Sequence, residues 1–193
     1  MGQYELKKLD MDALRKVYQE DLTKDFPPAE RKPLAAMEKL HYAGRYDLWG
    51  LYDGGDLAAY ALLWHDPDGG FVLLDYLGVC RSRPHGAGIG SAMVKALMER
   101  YGHTEGILVE AEALEGDGAD GEEEALRARR LTFYRRLGFR DLSYVAKIFG
   151  VRYAMLLSGE RSEAEAMEAH QRLYHYEFNP WLYDRFIQIP EEA

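Results

Sequence analysis

Hydrophobic positions in the first 80 residues change from helical spacing to strand spacing. Helical spacing begins after Asp10, a capping residue, and runs from Met11 to about Leu22, where the segment FPPAERKP interrupts it. It returns at Leu34 and ends at Gly44, a residue that suits a left-handed helix stop. A short strand is predicted over 4–9, before the helices; after them, three apolar runs with strand spacing, separated by turns rich in Asp and Gly, cover 46–52, 57–65 and 71–79. The pattern predicts two helices and an antiparallel meander.

Helices and strands alternate in the second half of the chain. A helix over 91–101 has one apolar face and ends at Gly102, and a second helix over 122–137 ends at Gly138. Strands are predicted over 107–113, 140–149 and 151–157. Since no internal repeat or low-complexity linker interrupts the order, the expected class is α+β, with a mixed, mostly antiparallel central sheet flanked by helices.

The last 36 residues form an aromatic-rich C-terminal segment. A capping box, SEAE from Ser162 to Glu165, begins a helix whose apolar stripe contains Met167, His170, Leu173 and Tyr174. The chain then continues as YEFNPWLYDRFIQIP. Because so many aromatic side chains are unfavourable in water, we expect them to pack on the same domain or at a homodimer contact, with cover for a ligand cleft as a third alternative. The expected organisation is one domain over 1–157 and this added segment over 158–193.

Composition narrows the function classes. The 193 residues carry a formal net charge of −9 and no long Lys/Arg run, which argues against nucleic acid as a partner. No segment approaches the roughly 18 apolar residues of a membrane span, and MGQYELKKLD lacks the layout of a secretory signal, so a cytoplasmic protein without membrane contact is expected. Cys80 is the single cysteine, and no zinc-binding spacing accompanies it, so we expect neither a disulfide nor a metal site.

A glycine-rich loop, HGAGIG, follows the last strand of the meander and opens the next helix. Such a loop predicts an anion site, because glycines let the backbone approach closely and the amides at a helix N-terminus are unpaired. A Walker-type loop is excluded, since no Gly-Lys-Ser/Thr follows the glycines. A dinucleotide fingerprint fits Gly86, Gly88 and Ser91, with Glu110 at the end of the next strand. Against it, CRSRPH separates the strand from the first glycine, and hairpins precede the loop where βαβ units are expected.

Two motifs at a fixed separation favour a third interpretation. The loop CRSRPHGAGIG lies between the strand FVLLDYLGV and the helix SAMVKALMERYG, and the segment FYRRLGF ends the next helix. This order resembles the GNAT superfamily of acyl-CoA N-acyltransferases, whose pyrophosphate loop reads Q/R-x-x-G-x-G/A and which has an F-Y-x-x-x-G-F segment. In one frame Gly88 and Gly90 are the paired glycines and His85 takes the Q/R position; in the other, Arg83 takes it. We prefer the first frame, because it starts the apolar helix register at Gly90.

The resemblance implies a binding site for acetyl-CoA, or coenzyme A, as co-substrate. The pyrophosphate is expected on backbone amides of the loop, and the pantetheine arm on the backbone of the preceding strand. Whether Arg81, Arg83 or His85 also meets a phosphate is left open. The residues expected to hold the cofactor are Leu77, Val79, His85, Gly86, Ala87, Gly88, Gly90 and Ser91.

The resemblance also implies an N-acetyltransferase acting on a small-molecule or peptide amine by direct attack. Tyr134 matches the family tyrosine that protonates the departing sulfur, so it is the expected general acid. Three carboxylates are candidates for the base, in the order Glu112, Glu110, Asp75, and the alternative for each is an ion pair with an arginine such as Arg127 or Arg130. The competing functions are a non-catalytic acyl-CoA-binding module and, less favoured, a dinucleotide-binding oxidoreductase.

Overall fold

The computed structural model describes residues 4–84, 88–114 and 121–192, and the chain divides into two units. The first unit comprises residues 1–65 and 74–100, and the second comprises 66–73 and 101–193. The residues expected at the centre of the pyrophosphate loop, His85, Gly86 and Ala87, lie outside the described residues.

Strands in the order β1-β2-β3-β4 form the sheet of the first unit, and its helices flank them. β1 pairs antiparallel with β2, and β2 pairs antiparallel with β3. The strands are β1 (Glu5–Lys8), β2 (Tyr46–Asp53), β3 (Asp56–His65) and β4 (Phe71–Val79), the last belonging to this unit from Leu74 onward. The helices are α1 (Met11–Val17), α2 (Thr23–Asp25), α3 (Leu34–Tyr42) and α4 (Ile89–Arg100).

The first predicted helix is interrupted. Asp10 caps α1 as expected, its side chain accepting a hydrogen bond of 2.8 Å from the amide of Ala13. The regular helix ends at Val17, and a π-helical turn over Tyr18–Leu22 replaces its predicted last part. That wider turn buries Asp21, whose carboxylate accepts a hydrogen bond of 2.9 Å from the amide of Arg81. A tertiary contact thus accompanies the departure from the local helical pattern.

The hairpin predicted from the Asp53-Gly54-Gly55-Asp56 turn is present between β2 and β3. Gly54 and Gly55 have φ angles of 60° and 97°. Two successive residues in this region match the right-handed twist of the flanking strands, and glycine adopts it without a steric penalty. The hairpin therefore follows from a local signal.

Strands in the order β5-β7-β6-β8 form the sheet of the second unit, with antiparallel pairing between β5 and β7, β7 and β6, and β6 and β8. The strands are β5 (Gly106–Glu112), β6 (Arg140–Ile148), β7 (Val151–Ser158) and β8 (Ile187–Gln188). The helices are α5 (Gly121–Arg136), α6 (Glu163–Glu177) and α7 (Pro180–Phe186).

The C-terminal segment is part of the second unit. The predicted capping box begins α6, with reciprocal hydrogen bonds between Ser162 and Glu165. The buried stripe of the helix lies one residue from the predicted one at its start, because Ala166 rather than Met167 is buried, and it continues through Ala169, His170, Leu173 and Tyr174. After α7, β8 pairs with β6, and Phe178 and Phe186 pack against Phe149.

Antiparallel strands flanked by helices in both units confirm the predicted α+β class. In the described ranges, no helix combines the length and the apolar character needed to cross a membrane.

Candidate active site

One face of β4 is partly accessible toward the end of the strand. Asp75, Leu77 and Val79 alternate with the buried residues Tyr76 and Gly78, as the twofold repeat of a strand requires. Two apolar side chains are therefore half-exposed on the strand that the sequence assigned to the pantetheine arm. The resemblance predicts that the pantetheine arm contacts the backbone of this strand, so the identity of these side chains does not test that prediction.

The N-terminus of α4 has the geometry of an anion site. Gly88 immediately precedes the helix with a φ of 78°, and its carbonyl accepts the first helical hydrogen bond, from the amide of Ala92 at 2.9 Å. Gly90 and Ser91 lie in the first turn. The first amides of a helix have no partner within it, and the helix dipole adds partial positive charge there. The preferred frame, with Gly88 and Gly90 paired, fits this helix start.

The two arginines that precede the loop are engaged by carboxylates. Arg81 donates to Asp25 at 2.7 Å, and Arg83 donates to Asp53 at 3.3 Å and lies 3.5 Å from Asp56. Arg81 remains about half exposed. A phosphate would have to compete with, or share, these partners.

Asp75 lies in a mixed ionic and aromatic cluster of the first unit. Lys32, from the predicted FPPAERKP segment, donates to one Asp75 oxygen at 2.6 Å, and the hydroxyl of Tyr46 donates to the same oxygen. The ammonium group of Lys32 also lies 4.3 Å from the centre of the Trp64 ring. The Asp75 carboxylate is therefore bound by an ammonium group as well as by a hydroxyl group.

Glu110 and Glu112 share one face of β5, as their spacing predicts, but their surroundings differ. Both oxygens of Glu112 are held by arginines of α5: Arg127 at 3.1 Å on one oxygen and Arg130 at 2.9 Å on the other. This is the ion-pair alternative that the sequence left open. A carboxylate with both oxygens paired to guanidinium groups is a structural element of the helix–strand contact.

Glu110 is bonded on one oxygen by an imidazole and a hydroxyl group. His170 Nε2 lies 2.7 Å from Glu110 Oε1, and the Tyr174 hydroxyl donates to the same oxygen at 2.8 Å. The second oxygen, Oε2, has no hydrogen-bond partner among the described residues. One oxygen is therefore anchored while the other is available to a proton donor.

Tyr134 is almost fully buried near the C-terminus of α5, with 6% of its surface exposed. Its ring packs edge-on against Phe133 and Phe139. The hydroxyl has no hydrogen-bond partner in the described parts of the chain, although buried tyrosine hydroxyls usually find one. Burial raises the pKa of Tyr134 to about 12, an effect that the charge of Arg130 partly offsets. The phenol is therefore protonated at neutral pH, the form that a general acid needs.

Cys80, at the end of β4, is not suited to act as a nucleophile. It is buried, and burial together with the nearby charge of Asp21 raises the pKa of its thiol to about 11. A thiol that stays protonated at neutral pH is a weak nucleophile. Chemistry without a covalent cysteine intermediate is consistent with these surroundings.

The model of the acetyltransferase (GNAT) family matches residues 11–139, about two thirds of the sequence. The chain belongs to the GNAT acetyltransferase family. This confirms the resemblance drawn from the loop and the FYRRLGF segment, sets aside the dinucleotide-binding interpretation, and makes the protein an acyltransferase by class.

Several solved structures share the fold of this chain. A GNAT-family protein from Bacteroides thetaiotaomicron is 16% identical, with a TM-score of 0.66 over 86% of this chain and 94% of that one. The ribosomal-protein-S18-alanine N-acetyltransferase of Escherichia coli is 16% identical, with a TM-score of 0.58 over 83% and 97%. An acetyltransferase of Salmonella typhimurium, solved with its cofactor acetyl-CoA, is 17% identical, with a TM-score of 0.54 over 81% and 93%. A comparison with proteins of curated function found no match.

The family match divides the GNAT enzyme's candidate residues into two groups. Asp75, Glu110 and Tyr134 lie within the matched segment, whereas His170 and Tyr174 lie beyond its end at residue 139. Sequence reasoning included His170 only as a member of a helical apolar stripe. A polar, titratable side chain on such a stripe was the available signal, because a buried imidazole requires hydrogen-bond partners.

Proposed function

We propose that this GNAT enzyme transfers an acetyl group from acetyl-CoA to a primary amine by direct attack, with Tyr134 as general acid and Glu110 as general base. The observation that carries the proposal is the pair of free proton-transfer atoms in the second unit. The Tyr134 hydroxyl and Glu110 Oε2 are both without hydrogen-bond partners among the described residues, in a family whose chemistry needs one donor and one acceptor.

The proposed reaction balances as follows. The acceptor arrives as an ammonium ion, and Glu110, directly or through water, takes one proton that later leaves to solvent. The free amine then forms a bond to the thioester carbonyl carbon, and the carbon–sulfur bond breaks. Tyr134 gives its proton to the departing thiolate, and the second proton lost by the amine nitrogen restores the phenol. The products are the N-acetylated amine and coenzyme A.

Contacts of the three carboxylates favour Glu110 as the base, which reverses the order expected from the sequence. Glu112 has both oxygens bound by arginines, and Asp75 is held by the ammonium group of Lys32. Glu110 is the one of the three whose bonded partners are an imidazole and a hydroxyl. A base must be ionised and yet able to accept a proton, and paired cations oppose the second requirement.

The proposed cofactor contacts lie in the first unit. The amides at the start of α4, including those of Gly90 and Ser91, suit the pyrophosphate, and the end of β4 at Leu77 and Val79 suits the pantetheine arm. We further propose that His85, Gly86 and Ala87 complete the loop. We also propose that the acceptor is a small-molecule or peptide amine, that the protein is cytoplasmic, and that it forms a homodimer.

Acetyl-CoA and coenzyme A are expected to raise the melting temperature of the protein in proportion to the logarithm of their concentration. A ligand that binds only the folded state adds about 2.7 kcal/mol of stability at a hundredfold excess over Kd. Differential scanning fluorimetry with acetyl-CoA, coenzyme A and NAD makes the measurement. Gly88→Val is expected to abolish the response, because a β-branched residue cannot easily adopt the φ of 78° that begins the helix.

Gly44→Val is the matched control. Gly44 also has a positive φ, 71°, with open space where a side chain would extend, but it ends α3 and not the loop. Both variants are expected to lose stability without ligand, and the Gly44 variant alone is expected to keep the acetyl-CoA response. A wild-type protein that responds to NAD but not to coenzyme A would contradict the proposed cofactor.

A further inference from the structure

A buried polar cluster connects the C-terminal helix α6 to β5 and β6. It consists of Glu110, Tyr144, His170 and Tyr174, all within the second unit, and we call it the Glu110 cluster. His170 is its centre, with none of its side chain exposed, and it lies between Glu110 Oε1 at 2.7 Å and the Tyr144 hydroxyl at 3.1 Å. Burying an imidazole and a carboxylate together is unfavourable unless their hydrogen bonds are made. Here the bonds are made, and the question is what a buried polar contact to Glu110 does for its carboxylate.

Hydrogen-bond chemistry orients the histidine. An ionised carboxylate only accepts hydrogen bonds, so the proton of the imidazole lies on Nε2, which donates to Glu110. In a neutral imidazole, Nδ1 then accepts a hydrogen bond from the Tyr144 hydroxyl. Burial, and next the negative charge of Glu110, raises the pKa of Tyr144 well above its ordinary value, so that hydroxyl keeps its proton and remains a donor. Tyr144 thereby selects the tautomer in which His170 faces Glu110 as a donor.

We propose that His170 is a positioning residue for the general base: with Tyr174, it binds one oxygen of Glu110 so that the other oxygen is held toward the acceptor amine. This inference rests on the proposed role of Glu110 as the base. Two donors on Oε1 restrict rotation of the carboxylate, while Oε2 keeps its lone pairs. The α6 helix lies beyond the family match, and in this proposal it contributes residues that position the base.

The charged groups around Glu110 include Glu112, which shares its face of β5 and is bound by Arg127 and Arg130 of α5. His170 and Tyr174 extend from α6, and Tyr144 extends from β6. Glu163, at the start of α6, adds negative charge near Tyr144 and is itself held by the hydroxyl and amide of Ser143. Because no lysine or arginine is paired with Glu110 among the described residues, the loss of one donor to Oε1 is expected to have a measurable effect on the carboxylate.

His170→Leu removes the donor and keeps an apolar side chain on the buried face of α6. A carboxylate that loses a donor holds its proton more readily, so the midpoint of the pH-dependent Glu110 signal is expected to move to higher pH than in the wild type. The side-chain carboxyl ¹³C chemical shift, followed against pH, measures this without any need for turnover. The acid limb of the kcat profile for acetyl transfer is expected to move in the same direction, with the KM for acetyl-CoA unchanged.

Three further variants separate positioning from mere stability. His170→Gln offers an amide donor at the same reach and is expected to recover most of the shift. Tyr174→Phe removes the other donor to Oε1, is milder to the fold, and is expected to move the midpoint in the same direction if the leucine variant fails to fold. His175→Leu is the matched control, because His175 is on the same helix but stacks on Tyr183, at 3.5 Å, away from Glu110. It is expected to lower stability without moving the midpoint.

Failure of the inference and failure of the proposed base give different results. If Glu110→Gln lowers turnover while His170→Leu and Tyr174→Phe leave both the ¹³C midpoint and the kcat profile unchanged, the positioning role is overturned and the base assignment stands. A midpoint that moves without any change in the kcat profile also overturns the positioning role. If Glu110→Gln has no effect on turnover, the base assignment itself is wrong, and the inference fails with it.

Discussion

Tyr134→Phe is expected to lower kcat about a hundredfold or more while leaving acetyl-CoA binding nearly intact. The substitution removes the proton that the departing thiolate requires, and general acid catalysis contributes effects of this size. Stability is expected to change little, because the Tyr134 hydroxyl makes no hydrogen bond to the described residues. Steady-state and single-turnover kinetics at saturating acetyl-CoA measure kcat, and thermal shift measures binding.

A second buried tyrosine provides the control for this substitution. Tyr183 on α7 is also buried, and its hydroxyl likewise has no hydrogen-bond partner among the described residues, so Tyr183→Phe is expected to leave turnover unchanged. The pKa of about 12 adds a pH criterion: the acid stays protonated well below that pH, so deprotonation of Tyr134 contributes no alkaline limb near neutrality. An unchanged kcat in Tyr134→Phe, with chemistry shown to be rate-limiting, would overturn the acid assignment.

Glu110→Gln is expected to lower turnover about a hundredfold at pH 7, with partial recovery at alkaline pH. An alkylammonium group has a pKa near 10.4, so about one acceptor molecule in 2,500 is nucleophilic at pH 7, and the need for a base falls as the pH rises. Glutamine keeps a carbonyl oxygen that accepts hydrogen bonds from His170 and Tyr174, so the fold is retained. The kcat profile between pH 6 and pH 10 measures the effect.

Glu112→Gln, two residues along the same strand face, is the paired comparison. It removes the negative charge that pairs with Arg127 and Arg130 and puts an amide NH2 group in place of one acceptor oxygen. We therefore expect the free energy of unfolding to fall by about 1–3 kcal/mol, measured by urea denaturation, with a smaller effect on turnover. If instead Glu112→Gln shows the pH-dependent loss of turnover and Glu110→Gln does not, Glu112 is the base, as the sequence analysis ranked it.

Elements that depend on short-range signals could be predicted from the sequence. The β2–β3 hairpin follows from adjacent glycines with positive φ, and the starts of α1 and α6 follow from the caps at Asp10 and Ser162. The π-helical turn over Tyr18–Leu22 could not be predicted, because it accompanies a hydrogen bond between Asp21 and Arg81, 60 residues apart. The two-residue β8 carries no periodic signal of its own, and its position depends on pairing with β6.

The candidate residues could be named from the sequence, but which carboxylate is best suited to act as the base could not be predicted. Glu110 and Glu112 are equivalent in spacing and neighbourhood along the chain. They differ in partners that are distant in sequence: His170 lies 60 residues from Glu110, and Arg130 lies 18 residues from Glu112. Such contacts set the base strength of a carboxylate. The two glutamates can therefore be compared only in the folded protein, where α5 and α6 pack against β5.

Acetyl transfer itself is the most direct test of the proposed function. The purified protein is incubated with acetyl-CoA and a panel of primary amines, including polyamines and peptides, and thiol release is recorded together with the mass of the acceptor. We expect thiol release that depends on one class of amine, with an acceptor gaining one acetyl group, and loss of both signals in Tyr134→Phe. Saturable binding of acetyl-CoA with no amine-dependent thiol release across the panel, and with wild type and Tyr134→Phe indistinguishable, would contradict it.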